Sequence, residues 1–305
     1  MLREYIVDPN SYCRNIDSLQ RFLSDFGTEN GRVIISLSNR WEREQQDAIR
    51  ASGIQLTTLE KRKCFDRLKY FAKTSVVSAG SIPSELTAWV DRAKFAQEQL
   101  GIDAIISGDA TLGARKFNYT NFLHFQPPDW HLEKDATSPR RAQDMANIIK
   151  NSLYLASVGL FVDPYFDPAK VEYRRPLSNF VKNIVSGRIV CKKIFIHTIE
   201  DREKGRSKNE LRRWMEELIQ PELTAGFCIE LWIWPSQLIH DRFILTKNVG
   251  YQFGHGWQES DNEMPVNISR LTEQARDREF KKFSNSAPRQ GDPIVIVGTS
   301  ETIEP

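Results

Sequence analysis

Short apolar runs alternate with helical patterns along the whole chain, and this alternation predicts the fold class. In the N-terminal part, four segments predict buried strands: EYIVDP, RVIISLS, DAIISG and NFLHF. The segment SIPSELTAWVDRAKFAQEQL predicts a helix whose apolar residues share one face, with Ser84 as its N-cap. These elements indicate an α/β layer.

A polar stretch with three prolines, QPPDWHLEKDATSPRR, interrupts the alternation between Gln126 and Arg141. It predicts the boundary between two domains. We therefore expect an N-terminal α/β domain over residues 1–130, a candidate for binding a protein partner, and a second domain over residues 140–305.

After this boundary the alternation is clearer. Four segments predict helices: RRAQDMANIIKNSLYLA, PLSNFVKNIVSG with Pro176 in its first turn, NELRRWMEELIQ and SRLTEQARDREFKKF. Six predict strands: SVGLFVDPYFDP, IVCKKIFIHT, FCIELWIW, HDRFILT, GYQFGHG and PIVIVG. The order predicts an α/β fold with a mixed sheet flanked by helices. Polar groups at the carboxyl ends of such strands tend to share one crevice, so we expect Asp163, His197 and the His240 region to meet there.

Composition and charge exclude few functions. The 305 residues are 40% hydrophobic and carry a formal net charge of +2, and a polyanionic partner requires a local basic patch rather than a large net charge. The four cysteines are dispersed and form no zinc or redox motif. No apolar stretch predicts a membrane span or a signal peptide, so we expect a cytoplasmic protein without membrane contact.

The segment HDRFILTKNVGYQFGHG carries the candidate chemistry. Because side chains alternate across a strand, His240 and Arg242 are predicted to share one face while Asp241 points away. An imidazole can attack or donate a proton near neutral pH, and a guanidinium can hold phosphate oxygens. Gly254 and Gly256 would let the backbone approach a ligand closely. The pattern predicts an anion pocket that uses neither a metal nor another cofactor.

Basic residues follow two of the predicted strand ends. Arg174 and Arg175 come after DPYFD, and the segment EDREKGRSK follows the His197 strand. These segments either hold a phosphate backbone around the crevice or are ordinary solvated loops. His197 is either a site residue or a strand-end histidine bonded to backbone. His255 is either a substrate contact or a polar residue between two glycines.

From about Arg140 to Phe283 the sequence resembles the phospholipase D superfamily, in particular its branch related to the MIT C-terminal domain and to bacterial conflict systems. The matching segments are DPYFD from Asp163 to Asp167, IFIHT with His197, and HDRFILTKNVGYQFGHG. In that superfamily a His-x-Lys-x4-Asp motif supplies a nucleophilic histidine and a lysine that clamps the phosphate, and a second histidine acts as acid. Arg242 stands in place of that lysine and Lys247 in place of that aspartate.

The resemblance implies a metal-independent phosphodiesterase, a nuclease acting on DNA or RNA, within a bacterial defence or mobile-element system. His240 would be the nucleophile, Arg242 the clamp, and either His197 or the histidine of a second chain the acid, with Asp163 orienting an imidazole ring. A single motif also implies a homodimer. Substrate contacts are expected from six residues: Arg174, Arg175, Lys247, Gly254, His255 and Gly256.

The missing motif aspartate leaves a second function open. In this alternative the domain has lost its chemistry and binds nucleic-acid phosphate and a protein partner. Anionic lipid is a weaker third possibility, because the sequence contains no basic amphipathic membrane helix.

Overall fold

The structure is a computed structural model that describes residues 1–80, 82–109, 111–112, 115–123, 126–260, 264–285 and 291–300. The chain divides into two compact units. The N-terminal unit is Leu2–Leu132, and the C-terminal unit is Glu133–Pro305 together with Met1. This division falls within the proline-containing stretch of the sequence.

The N-terminal unit is built on a five-stranded parallel sheet in the order β3-β2-β1-β4-β5. Its strands are β1 (Arg3–Val7), β2 (Arg32–Ser36), β3 (Val76–Ser78), β4 (Ala104–Ile106) and β5 (Lys116–Phe117). Its helices are α1 (Pro9–Tyr12), α2 (Ile16–Asp25), α3 (Trp41–Ala51), α4 (Thr58–Thr74) and α5 (Trp89–Leu100). Parallel strands need crossover connections. Helices α1 to α5 lie in the connections from β1 to β2, from β2 to β3 and from β3 to β4.

Two local predictions for this unit are wrong. Helix α5 begins at Trp89 after an N-cap at Ala88, not at Ser84. The segment Tyr119–Leu123 is a 3-10 helix rather than a strand, because Phe122 packs against the fully buried Trp130 with ring centroids 4.9 Å apart. His124 and Phe125, the rest of that predicted strand, lie outside the described residues.

The C-terminal unit is built on an eight-stranded mixed sheet in the order β13-β9-β8-β7-β10-β11-β12-β6. Its strands are β6 (Asp135–Ser138), β7 (Gly159–Val162), β8 (Lys193–Ile199), β9 (Cys228–Trp234), β10 (Phe243–Thr246), β11 (Gly250–Phe253), β12 (Val266–Arg270) and β13 (Ile294–Val297). Its helices are α6 (Ala142–Tyr154), α7 (Val171–Val185), α8 (Lys208–Trp214) and α9 (Glu273–Asn285). Strands β7, β8 and β9 are parallel, and the remaining pairs are antiparallel.

The two faces of this sheet carry different aromatic groups. On one face Phe161 of β7 packs against Phe180 of α7 and against Trp257, at ring-centroid distances of 5.8 and 6.2 Å. On the other face Phe283 of α9 packs against Trp234 of β9 at 5.1 Å. We call these the α7 face and the α9 face. Side chains at the strand ends can contact one another only when they lie on the same face.

Helix α7 begins at Val171, so Pro176 lies inside the helix and not in its first turn as predicted. Proline has no N–H, so the Glu172 carbonyl four residues earlier cannot accept the usual helical hydrogen bond from residue 176. That carbonyl instead accepts a hydrogen bond from the Glu259 backbone N–H at 2.8 Å. A segment far away in sequence therefore satisfies the backbone group that the proline leaves open.

The central strands of the two units end in the same way. Strand β1 is followed by Asp8-Pro9, and β7 by Asp163-Pro164. In both places Oδ1 of the aspartate accepts from the backbone N–H two residues later, at 2.9 Å from Asn10 and 2.8 Å from Tyr165. This turn directs the chain away from the carboxyl end of the strand.

The predicted α/β class, with a mixed sheet flanked by helices in the second part of the chain, is confirmed. None of the helices among the described residues is both long and apolar enough to span a bilayer.

Candidate functional site

Asp163 occupies the carboxyl end of the central strand β7 on the α7 face. Its backbone N–H donates to the His197 carbonyl at 3.0 Å, which continues the β7–β8 pairing by one step. The side chain is 1% exposed. Oδ1 accepts from Tyr165, but Oδ2 makes no hydrogen bond of normal geometry with any described residue. The Trp257 backbone N–H lies near this carboxylate in a geometry short of a normal hydrogen bond, and a buried carboxylate oxygen this weakly satisfied is uncommon.

Arg242 lies beside Asp163. In the antiparallel β10–β7 pair Phe243 lies opposite Val162, so the residue before Phe243 comes next to the residue after Val162. The Arg242 guanidinium donates from Nη1 to the Gly254 carbonyl at 3.4 Å and lies 5.0 Å from the ring centroid of Tyr165. Tyr165 is 48% exposed and Arg242 is half-buried. The cation is therefore held in place while part of it remains accessible.

Gly256 packs against both the Asp163 carboxylate and the Arg242 side chain. Its φ is +81°, and a Cβ at this position would lie 2.7 Å from Asp163 Oδ2 and 3.1 Å from Arg242 Cδ. Only glycine fits here without displacing these side chains. The sequence predicted that this glycine would clear space for a ligand, but the space beside it is filled by the protein's own charged groups. At Gly254 a Cβ would meet only the Asn267 carbonyl, at an ordinary 3.6 Å.

Burial shifts the protonation of the acidic groups on this face. Desolvation raises the pKa of Asp163 to about 6, although the amides of Tyr165 and Trp257 and the charge of Arg242 act in the opposite direction. Burial and the nearby Asp163 carboxylate also raise the pKa of Tyr173. The carboxyl of Asp163 therefore changes its charge close to neutral pH, which is useful for proton transfer.

His240 lies in the loop between the 3-10 turn Ser236–Leu238 and β10, and its side chain is exposed. Its Nε2 lies 2.9 Å from the Gln237 carbonyl oxygen. A carbonyl can only accept, so this contact requires the proton to be on Nε2, and in the neutral ring Nδ1 then carries the free lone pair. Asp241 accepts from Gln252 Nε2 at 3.2 Å. Because Gln252 pairs with Phe243, Asp241 lies on the side opposite Arg242, as predicted.

His197 does not join this group, and the prediction that it shares a crevice with Asp163 is wrong. It pairs in register with Val162, so its side chain lies on the α9 face, whereas that of Asp163 lies on the α7 face. The ring is fully buried between Trp234 and Phe283, and Nδ1 accepts from Trp234 Nε1 at 2.9 Å. Its position corresponds to a structural histidine.

Two of the predicted substrate contacts have local structural partners. Arg174 Nη1 donates to the carbonyls of Pro168 and Ala169 at 3.1 and 2.8 Å, which ties the start of α7 to the loop before it. Arg175 is exposed and lies 3.4 Å from the Glu259 carboxylate. That carboxylate also accepts from the Ala142 N–H at the start of α6, at 3.0 Å. Neither arginine has a recorded contact with Asp163 or Arg242.

Two further predicted contacts, Lys247 and His255, lie at opposite ends of the β10–β11 hairpin. Lys247 follows the carboxyl end of β10, beside the start of β7, and is five residues or roughly 17 Å from Arg242 along the strand. It is therefore wrongly predicted as a member of this site. His255 is exposed between Gly254 and Gly256, directly beside the Arg242 contacts. The structure brings Asp163, Arg242 and the loop 254–256 together.

Sequence reasoning assigned one residue of this region the wrong role and missed another. Arg206 is nearly buried, and its Nη1 donates to the carbonyls of Pro164 and Phe166 at 3.2 and 3.3 Å. It holds the chain that follows Asp163, although the sequence assigned it to a basic loop. Tyr173 is 3% exposed and packs edge-on against Trp257 at 5.5 Å. Neither has a sequence signal, because only the fold brings α7 and the loop after β8 to the end of β7.

The described part of the chain contains no group of three or more His, Cys, Asp or Glu side chains arranged to hold a metal ion.

Comparison with known proteins gives little further information. The sequence matches no protein-family model, and no curated protein matches it significantly. Among solved structures, TrmBL2, an archaeal chromatin protein with a novel mode of DNA binding, is similar at 12% identity and a TM-score of 0.30. The similarity covers 55% of this chain and 56% of that one, so the chain spans about half the length of this relative. A TM-score this low supports no statement about fold or function.

Proposed function

We propose that the C-terminal unit is a phospholipase D-like phosphodiesterase that cleaves nucleic acid without a metal ion. The observation that supports this most directly is the state of His240. Its Nε2–H is donated to Gln237, its Nδ1 is free to act as a nucleophile, and Arg242 follows two residues later. An imidazole oriented through its second nitrogen and a fixed cation two residues further along the chain are the groups that attack on a phosphodiester requires, and the proposal is that both act on one phosphate.

In the proposed reaction His240 Nδ1 attacks phosphorus, forming a P–N bond while the P–O bond to the leaving strand breaks. Arg242 binds the non-bridging oxygens, whose negative charge is greatest during this step. The leaving oxygen takes a proton from a second exposed histidine, either His255 of the same chain or His240 of a second copy. Water then hydrolyses the phosphohistidine and releases the imidazole.

A labelled-substrate assay tests this proposal. Single-stranded DNA, double-stranded DNA and RNA are incubated with the full chain in EDTA. We expect cleavage by the wild type and a loss of about 10³-fold or more in His240→Ala. His131→Ala, which removes an exposed histidine of the N-terminal unit, is the matched control and should leave cleavage unchanged. Cleavage that survives His240→Ala would reject the assignment.

Two further variants separate the possible sources of the proton. If His255 donates it, His255→Ala loses most of the activity. If the donor comes from a second copy, activity depends on protein concentration and is restored by mixing two differently inactivated chains. Trapping a radiolabelled, acid-labile phosphoryl group on the wild type, but not on His240→Ala, would identify the covalent intermediate directly.

A second candidate function is nucleic-acid binding without turnover. The accessible guanidinium of Arg242, which donates to the Gly254 carbonyl at 3.4 Å and lies over the ring of the exposed Tyr165, favours it, because this cation can bind a phosphate whether or not His240 reacts. The same assay distinguishes the two. Salt-dependent binding without cleavage, weakened in Arg242→Ala, supports the binding module. Absence of polyanion affinity at low salt contradicts both functions.

A further inference from the structure

A second candidate binding region lies in the N-terminal unit, at the carboxyl ends of parallel strands β2 and β3. A cavity of about 940 Å³ opens there. Its wall includes Ser36 and Ser78, the last residues of these strands, and the first turn of α3. The volume is within the range of about 300–1,000 Å³ that is typical of small-molecule sites. In open α/β sheets ligands bind outside the carboxyl ends of the strands, and this cavity lies on that side, beside β2 and β3 rather than at the switch point between β1 and β4.

One cation at the cavity is free to bind an anion. Three arginines, Arg40, Arg43 and Arg50, line the cavity together with Glu42, and the nearby Glu44 carboxylate accepts from the lining residue Ser38 at 2.6 Å. Arg50 is engaged by Asp47 at 2.6 Å, and Arg43 lies 3.9 Å from the same residue. Arg40 is exposed, and no hydrogen bond or ion pair of its guanidinium with another described residue is recorded. Its cation is therefore available to a ligand.

The loop that leads to Arg40 is fixed by its own hydrogen bonds. The Ser38 N–H donates to Ser36 Oγ at 3.1 Å and the Arg40 N–H to Ser38 Oγ at 3.0 Å, which fixes the loop that leads into α3. Within the described residues no side chain caps α3, and its first backbone bond to Arg40 comes from Glu44. The N–H groups of the first turn before Glu44 have no partner inside the helix, and they add to the positive potential that the arginines create.

Part of the remaining wall is apolar. Trp41, Ala72 and Val76 line the cavity together with polar residues, among them Asn39 and Gln46. Trp41 is 7% exposed, so it presents a small, fixed surface and is not free to move. A ligand that fits both parts has an anionic end and a flat, poorly hydrated end.

We infer that this cavity binds a nucleoside phosphate, with the phosphate against Arg40 and Arg43 and the base against the wall formed by Trp41, Ala72 and Val76. The inference is independent of the proposed phosphodiesterase, because every residue that lines the cavity belongs to the N-terminal unit. It assigns a small-molecule ligand to the unit for which the sequence predicted a protein partner.

Isothermal titration of the full chain with ADP, adenosine and inorganic phosphate tests this assignment. We expect ADP to bind and adenosine to bind at least about 10-fold more weakly, since it lacks the charge-assisted bonds. Arg40→Ala should weaken ADP binding by about 10-fold or more. Arg62→Ala, which removes an exposed arginine of α4 outside the cavity, should leave ADP affinity unchanged.

Other outcomes overturn the inference. No detectable ADP binding at millimolar concentration, or equal binding by wild type and Arg40→Ala, removes the site. Loss of ADP binding in Arg242→Ala but not in Arg40→Ala would place the nucleotide in the C-terminal unit instead. The wild type could instead bind a 5′-phosphorylated oligonucleotide but not ADP, and Arg40→Ala could lose that binding. This result would show that the ligand is the phosphorylated end of a strand and not a mononucleotide. A thermal melt verifies that each variant is folded, and Arg40→Lys, which keeps the charge, should retain part of the affinity.

Discussion

The buried carboxyl of Asp163 gives the sharpest prediction about stability. We consider Asp163→Asn, which keeps the side-chain shape and an oxygen that can accept from the Tyr165 N–H but removes the negative charge. Burial raises the pKa of Asp163 from 3.8 to about 6 in the folded protein. The folded state therefore binds this proton more tightly than the unfolded chain does.

The sign of the effect follows from this difference. The stabilising contribution of the protonated carboxyl is complete below about pH 3.8 and is lost as the pH rises through about 6. A difference of about 2 pH units corresponds to about 3 kcal/mol. At pH 7.5 we therefore expect Asp163→Asn to be more stable than the wild type by up to about 3 kcal/mol. The difference should almost vanish at pH 3.5 to 4.

Urea denaturation at several pH values measures this difference, and hydrogen exchange read from β7 and α7 peptides assigns the transition to the C-terminal unit. Asp167→Asn is the matched control. It has the same Asp-Pro sequence and the same turn, with Oδ1 3.0 Å from the Ala169 N–H, but its carboxylate lies 3.9 Å from Lys170. We expect no gain there. Destabilisation of Asp163→Asn by the same amount at every pH would refute the reasoning, because it would mean that Arg242 and Arg206 keep the carboxylate charged throughout.

The glycine and the glutamate beside the site give two further expectations. Gly256→Ala should lower the free energy of unfolding by at least about 2 kcal/mol, since a positive φ and a contact at 2.7 Å coincide, whereas Gly254→Ala should change it by less than about 0.5 kcal/mol. Similar losses in both glycine variants would contradict the packing argument. Glu259→Ala should cost about 1–2 kcal/mol through the lost contact with the Ala142 N–H, and Glu259→Gln about half as much, because the amide oxygen still accepts. Denaturant unfolding measures all four variants.

The fold class could be predicted from the sequence because strands buried on both sides of a sheet form continuous apolar runs. GLFV and KIFIHTI are such runs, and they form adjacent parallel strands. Helix boundaries were less predictable. Pro176 is typical of a first turn, yet α7 extends five residues further toward the N-terminus, because Glu259 satisfies the carbonyl opposite the proline.

The candidate site was predictable only where neighbours in sequence are also neighbours in space. The alternation along the HDR segment correctly separated Asp241 from Arg242. It could not show that Asp163 and His197 lie on opposite faces, because that depends on the pairing of Val162 with His197. The sequence of one strand does not specify its register with the next strand. Either face of the sheet was therefore possible for each of these side chains.

The hydrogen bond between Glu172 and Glu259 also couples movements. Residue 259 is three positions after Gly256, and the same residue binds the first turn of α6 through its carboxylate. A displacement of α7 along its axis would pull on this short tether and so reposition the loop that supports Arg242. The proline in α7 thus links the position of that helix to the geometry of the loop beside Arg242.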